Sequence, residues 1–346
     1  MKNTKQCLFL LIFILLFSIA VSIYLGNVKI DREIITKFLI NRVLHKKVYE
    51  ENWNNGIEII LLNIRIPRIL MAGLAGAALS IVGVLMQTLT KNPLAEPFIL
   101  GISSGASAGA VSVIIFGLLP FLGASAVPMG SFAGAVAAIM LVMLLTGKRQ
   151  DSIKLILLGV GISAFFNAVT TLVIYMAKND SQMKSAIFWM LGSLAVTEWK
   201  NLILPAVLLL ILLIVSSFIS KELDILLLGD NTAAQLGLNI ALVKLVLIIF
   251  SSLLIGVIVS ICGIIGFVGL IIPHITRKLV GNKHKVLIPF SMLLGSIFLI
   301  WADNIARICF APEELPIGII SSFLGAPFLI LVVLRNYKFG DSNDGN

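Results

Sequence analysis

Few residues in this chain could do chemistry, and their spacing limits what that chemistry could be. Asp303 and Arg307 stand four apart, so on a helix they could pair along one face. A proton relay would want a carboxylate near the middle of a bilayer, and this pair falls near a helix end. His274 follows Pro273, a lone histidine of the kind that is usually hydrogen-bonded structure. The string GVGISA at 159–164 fits Gly-x-Gly-x-x-Ala, with Asp180 near the spacing of a dinucleotide site. It lies inside a 23-residue uncharged run rather than between a strand and a solvated helix, which defeats that reading. No P-loop, HExxH, nucleophile elbow or paired-cysteine motif occurs. Cys7, Cys262 and Cys309 have no partner pattern. The expectation is a chain with no catalytic residue, no metal site and no cofactor.

The elements that must position these residues follow from composition. Of 346 residues, 59% are apolar and 12% charged, and mean hydropathy is +1.06. Soluble domains carry about 25% charge, so a soluble enzyme is excluded, and disorder is excluded by the hydrophobicity. Runs free of Lys, Arg, Asp and Glu lie at 6–28, 69–90, 97–147, 155–177, 201–220, 245–276, 286–302 and 315–334. A bilayer core takes about 20 helical residues. Pro120, Gly123 and Pro128 split the run 97–147, and Gly263, Gly266 and Gly269 split 245–276. The reading is all-α: a polytopic membrane protein of about ten helices forming a single domain over 1–346. The first helix, about 7–25, reads as uncleaved, because no small-x-small cleavage site stands out. The runs lack the alternation of a membrane β-barrel.

With the N-terminus inside and ten crossings, the inside segments hold fourteen Lys and Arg and the outside segments twelve, eight of these in or beside 27–68. Setting that long segment aside, fourteen against four favours both termini in the cytoplasm. The net charge of +9 then faces anionic lipid. A nucleic-acid partner would need a clustered basic face with interleaved aromatics, and none is seen. Acids in mid-membrane are absent on this reading.

Residues 76–83 (GAALSIVG) and 256–263 (GVIVSICG) share Gly-x3-Ser-x2-Gly. On helices running in opposite directions this suggests an inverted repeat, although small residues also recur in membrane helices for close packing. Gly101, Gly105 and Gly109, with Ser104, put a small-residue face on the third helix. It suits helix packing or a substrate path. In the inside loop 221–239, Asp230 or Asn231 could cap a short helix that Gly237 ends. Such a loop fits docking to another protein or an unpartnered interfacial segment.

RIPRILMAGLAGAALSIVGVLMQTLTKNPLAEPFILGISSGASAGA (65–110), LLLGDNTAAQLGLN (226–239), GIIGFVGLIIPHITRKLVGNKHKVLIP (263–289) and ADNIARICFAPEELPIGIISSFLGAPFLILVVLR (302–335) together resemble the FecCD-type permease subunits of bacterial iron-siderophore, haem and cobalamin ABC importers. The similarity spans about 60–336. It implies a cobalamin-permease-like fold in the bacterial cytoplasmic membrane and a second permease subunit, with the substrate path between the two. It also implies ATPase subunits on the 221–239 loop, at Leu228, Gly229, Asp230, Ala233, Gln235, Leu236 and Gly237. Finally, it implies an extracytoplasmic binding protein whose glutamates meet Arg65, Arg68 and Arg307. The expected activity is ATP-driven import of an iron chelate, a ferric siderophore first and haem or cobalamin as alternatives. A gradient-driven secondary transporter is the rival of another class.

Overall fold

The computed structural model describes residues 2–44, 48–50, 53–147 and 152–340. They form fifteen α-helices: α1 (Lys2–Tyr24), α2 (Arg32–Leu44), α3 (Asn55–Ile59), α4 (Ile66–Thr90), α5 (Ile102–Phe116), α6 (Ala126–Thr146), α7 (Ser152–Tyr175), α8 (Asp180–Met190), α9 (Trp199–Phe218), α10 (Ser220–Leu226), α11 (Asp230–Gln235), α12 (Ile240–Cys262), α13 (Val268–Val280), α14 (His284–Ile308) and α15 (Ile317–Gly340). Ten of them fall on the charge-free runs. Seven helical segments are long and apolar enough to cross a membrane, and α5 and the 317–332 part of α15 are shorter apolar helices. Lys148 and Arg149, counted above among the inside charges, lie outside the described residues.

The described parts of 27–64 are more helical than a loop reading allows. α3 runs through a π-helical turn, Ile60–Arg65, into α4. Pro67 follows directly on this π-turn, in which the Ile66 N–H reaches the Leu61 carbonyl five residues back. Ile35, Phe38 and Leu61 bury their side chains together, and Trp53 sets its ring edge against Phe38 at 5.8 Å. These parts form a helical cap that is seated on the end of α1 and leads into α4.

α4 is the axis of the molecule, 83% of its apolar window being buried against 11% for α1. Small residues let its neighbours approach to backbone contact. A Cβ on Gly83 would lie 1.9 Å from the Gly269 carbonyl oxygen, and one on Gly76 would lie 2.1 Å from that of Gly295. The packing carries the mark of an inverted repeat. α4 packs on α13 and α14, while α12 packs on α5 and α6, and α4 and α12 touch each other. Each repeat's first helix therefore crosses onto the second and third helices of the other.

The second helix of each repeat is short for the same reason in both. The chain leaves α4 at Lys91, turns back into the bundle without helix, and starts α5 from Gly101 in a left-handed conformation (φ 77°). It leaves α12 at Gly263, re-enters from the opposite end, and starts α13 from Phe267, also left-handed (φ 67°).

Candidate functional site

Two polar clusters occupy opposite ends of α4. The first gathers Arg65, Arg68 and Arg307, which lie in three different turns of sequence yet are all buried (3–5% exposed). Arg68 donates Nε to Asp303 Oδ1 at 2.9 Å and Nη1 to Glu314 Oε2 at 2.7 Å. Arg307 Nε lies 3.0 Å from the other Asp303 oxygen, so the four-residue spacing does pair these two. Arg307 also donates to the Leu25 carbonyl at 3.1 Å and to Ser22 Oγ at 3.0 Å, and to Asn304. These bonds pin α14 to the end of α1. Arg65 differs: its partners are the carbonyl oxygens of Ile23, at 2.9 Å, and Val28. Three guanidiniums thus share two carboxylates, Asp303 and Glu314, and the surplus positive charge belongs to Arg65. All three arginines line a cleft of about 220 Å³ with Gly26, Asn27 and Glu314. A bidentate carboxylate is the ligand that such a fork of donors suits.

The second cluster wires the 221–239 loop to the bundle. Asp224 on α10 accepts the His284 amide at 3.0 Å and the His284 Nδ1 at 2.6 Å. His284 Nε2 lies 2.7 Å from Thr88 Oγ1 on α4. Asp230 on α11 binds Lys91 Nζ at 2.7 Å and Lys244 Nζ at 2.8 Å. Lys244 is fully buried and also reaches Ser152 on α7 at 3.0 Å. Neither Asp230 nor Asn231 is therefore the side-chain cap that the sequence offered. Gly229 holds the cap position with no side-chain bond, while the Asp230 carboxylate is turned onto the two lysines. Burial raises the Asp230 pKa, but the hydrogen bonds from Lys244 and Lys91 outweigh it, and the net direction is downward. Gly237 does end the helix, in a left-handed conformation (φ 83°).

The loop residues divide by direction. Asp230 and Ala233 face the bundle, Ala233 fully buried. Gln235 and Gly237 are exposed, and Leu228 and Leu236 present apolar side chains to solvent, 64% and 61% exposed. Gly229 adopts φ 113°, a conformation that L side chains rarely take.

The small-residue face of α5 is packing in the described chain. A Cβ on Gly105 would lie 2.4 Å from the Gly134 carbonyl oxygen, and one on Gly109 would lie 2.0 Å from that of Gly130. Ser104 is buried and donates to the Gly101 carbonyl at 2.9 Å. Gly101 itself precedes the helix rather than lying on its face. Sequence reasoning did not identify Glu314, Asp224, Lys91 or Lys244 as partners, because each meets its mate from a distant element. Among the described residues no group of three or more His, Cys, Asp and Glu is placed to hold a metal ion.

A helical bundle with apolar spans, an inverted repeat and polar networks confined to its two ends is the architecture of a membrane transport subunit. The model of the FecCD transport family matches residues 14–335, and the chain belongs to that family. It is 43% identical over 290 residues to the ABC transporter permease protein YvrB of Bacillus subtilis, covering 82% of this chain and 81% of that one. It is 36% identical over 293 residues to the hemin transport system permease protein HmuU of Yersinia pestis, covering 84% and 87%. A solved metal-chelate type ABC transporter in an inward-facing conformation superposes with a TM-score of 0.82 at 30% identity, covering 96% of this chain and 99% of that one. The chain is a multi-pass membrane permease of the ABC importer type, a transport subunit rather than an enzyme.

Proposed function

We propose that this permease carries an iron chelate, a ferric siderophore before haem or cobalamin, across the bacterial cytoplasmic membrane by alternating access. The carrying observation is the wiring of both ends of one buried helix. α4 begins beside the arginine cleft and ends on Thr88 and Lys91, which hold the α10–α11 loop. A helix of 25 residues spans about 37 Å, so α4 alone links two surfaces a membrane apart.

In this reading both termini are cytoplasmic and the arginine cleft faces outward. A loaded binding protein presents glutamates to Arg65, Arg68 and Arg307, and Arg65, lacking a carboxylate of its own, is the group with charge to offer. Leu228, Gln235 and Leu236 seat an ATPase subunit. Asp224 and Asp230, fixed to α14, α4 and α12, transmit its movement to the helices, and ATP shifts the balance between inward and outward states by its differential binding to the two. A second permease subunit closes the path. The metal-chelate type of the structural neighbour and the hemin transport system of HmuU, haem being an iron chelate itself, support an iron-chelate cargo.

Competition in vesicles carrying the chain with its ATPase and binding protein tests the cargo. Uptake of radiolabelled ferric siderophore that unlabelled haem and cobalamin leave undiminished is expected. Uptake of labelled haem or cobalamin, with the siderophore neither taken up nor competing, overturns the siderophore assignment.

A further inference from the structure

The re-entrant turn between α4 and α5 carries a carboxylate, Glu96, which the sequence places in an inter-helix loop. The structure carries it deep into the bundle. Pro97, its neighbour, touches Gly269: a Cβ there would lie 2.3 Å from Pro97 Cγ and 2.7 Å from the Leu79 carbonyl oxygen. Gly269 in turn contacts Gly83. Pro97 is therefore level with residues 79–83 of α4, about 10–17 Å from that helix's end and about 20–26 Å from its start at 1.5 Å per residue.

At that depth Glu96 lies beside the turn that starts α13 from the left-handed Phe267, two residues before Gly269. The two re-entrant turns, one from each repeat, thus meet where Pro97 packs on Gly269. Phe267 packs on α15, where a Cβ at Gly325 would lie 2.4 Å from Phe267 Cβ. The neighbouring α15 residues Phe323 and Leu324 are 79% and 46% exposed. This corner is at the surface of the chain, and Glu96 itself is part-exposed. A carboxylate at membrane depth does not face lipid tails; it faces protein or a water-filled cavity.

We infer that Glu96 lines the translocation path, where it offers a water-accessible carboxylate to hydrogen-bond donors on the passing cargo. The inference rests on the importer reading, in which a second permease subunit closes the path. The corrected position of Glu96 leaves that reading in place, because one carboxylate supplies no relay of acids.

Two measurements on the complete transporter in vesicles test it. Native Glu96 is treated with a water-soluble carbodiimide and glycine methyl ester, and modification is read by peptide mass spectrometry in nucleotide-free and ATP-trapped states. Modification in at least one state is expected. None in either, under conditions that fully modify the exposed Glu198 (side chain 60% exposed), overturns the inference. In a background of Cys7→Ser, Cys262→Ser and Cys309→Ser, Glu96→Cys is expected to react with a charged, membrane-impermeant thiosulfonate at least tenfold faster than Phe13→Cys on the outer face of α1. Equal rates count against a water-filled path. If Glu96→Cys does not assemble, the native carboxylate decides alone. Uptake without ATP would sink the importer reading, whereas an unmodified Glu96 in a transporter with ATP-driven uptake sinks this inference alone.

Discussion

Asp224 holds His284 twice, through the backbone amide at 3.0 Å and through Nδ1 at 2.6 Å. One carboxylate thereby caps the first turn of α14 and fixes the ring that reaches Thr88 on α4. Asp224→Ala removes both bonds. The capping loss is about 1 kcal/mol, and the fully buried His284 is left short of a partner, about 1–3 kcal/mol more. A lowered melting temperature is expected, together with ATP hydrolysis that drives less uptake per turnover, read by paired ATPase and uptake assays. Unchanged coupling would remove this contact from the transmission route.

Gly229→Val forces a β-branched residue into φ 113°. A Cβ there meets nothing within 4 Å, so the cost is backbone strain, about 1–3 kcal/mol, and not a clash. The connection between α10 and α11 should shift while the bundle stays folded. ATPase activity without matching uptake is the expected result, and full coupling would argue against the loop as the docking element.

The arginine cluster separates docking from folding. Arg68→Glu would set a third carboxylate beside Asp303 and Glu314 in a buried site, and should prevent stable folding. Arg65→Gln keeps an amide able to donate to the Ile23 or Val28 carbonyl and removes the surplus charge. It should weaken capture of the binding protein about tenfold, which is about 1.4 kcal/mol, with the melting temperature nearly kept. Surface plasmon resonance against the loaded binding protein measures this, and unaltered affinity would refute the docking role of Arg65.

The downward shift of the Asp230 pKa fixes a pH dependence. A carboxylate whose folded pKa lies below its unfolded value stabilises the fold above the ordinary aspartate range, and that stability is lost as pH falls through the folded pKa. Asp230→Asn should therefore lower the melting temperature at neutral pH, where it removes a carboxylate from the buried Lys244. The gap from the parent protein should close in acid below that range. A gap that persists there would mean the clamp is not electrostatic.

Much of the fold was legible because a bilayer imposes a simple rule. Charge-free runs of about 20 residues must be helices, and ten helices lie where those runs predict. The helical cap within 27–64 was hidden, since its short helices carry ordinary charge and, among the described residues, bury only Ile35, Phe38 and Leu61. The re-entrant turns were hidden for a related reason. Glu96 interrupts two charge-free runs and reads as a loop, although the contact of its neighbour Pro97 with Gly269 draws it inward. Within the site, Arg307 with Asp303 was readable from a four-residue spacing. The partners of Arg68, Asp224 and Asp230 were not, because each contact joins elements between 14 and 246 residues apart.

The central claim is that this chain provides a path whose motion is driven by ATP on other subunits. Its most direct test is uptake of a labelled iron chelate into vesicles containing the permease, its ATPase and the binding protein, with and without ATP, and with the ion gradient collapsed. Uptake that requires ATP and survives loss of the gradient is predicted; gradient-driven uptake in the absence of ATP would contradict it.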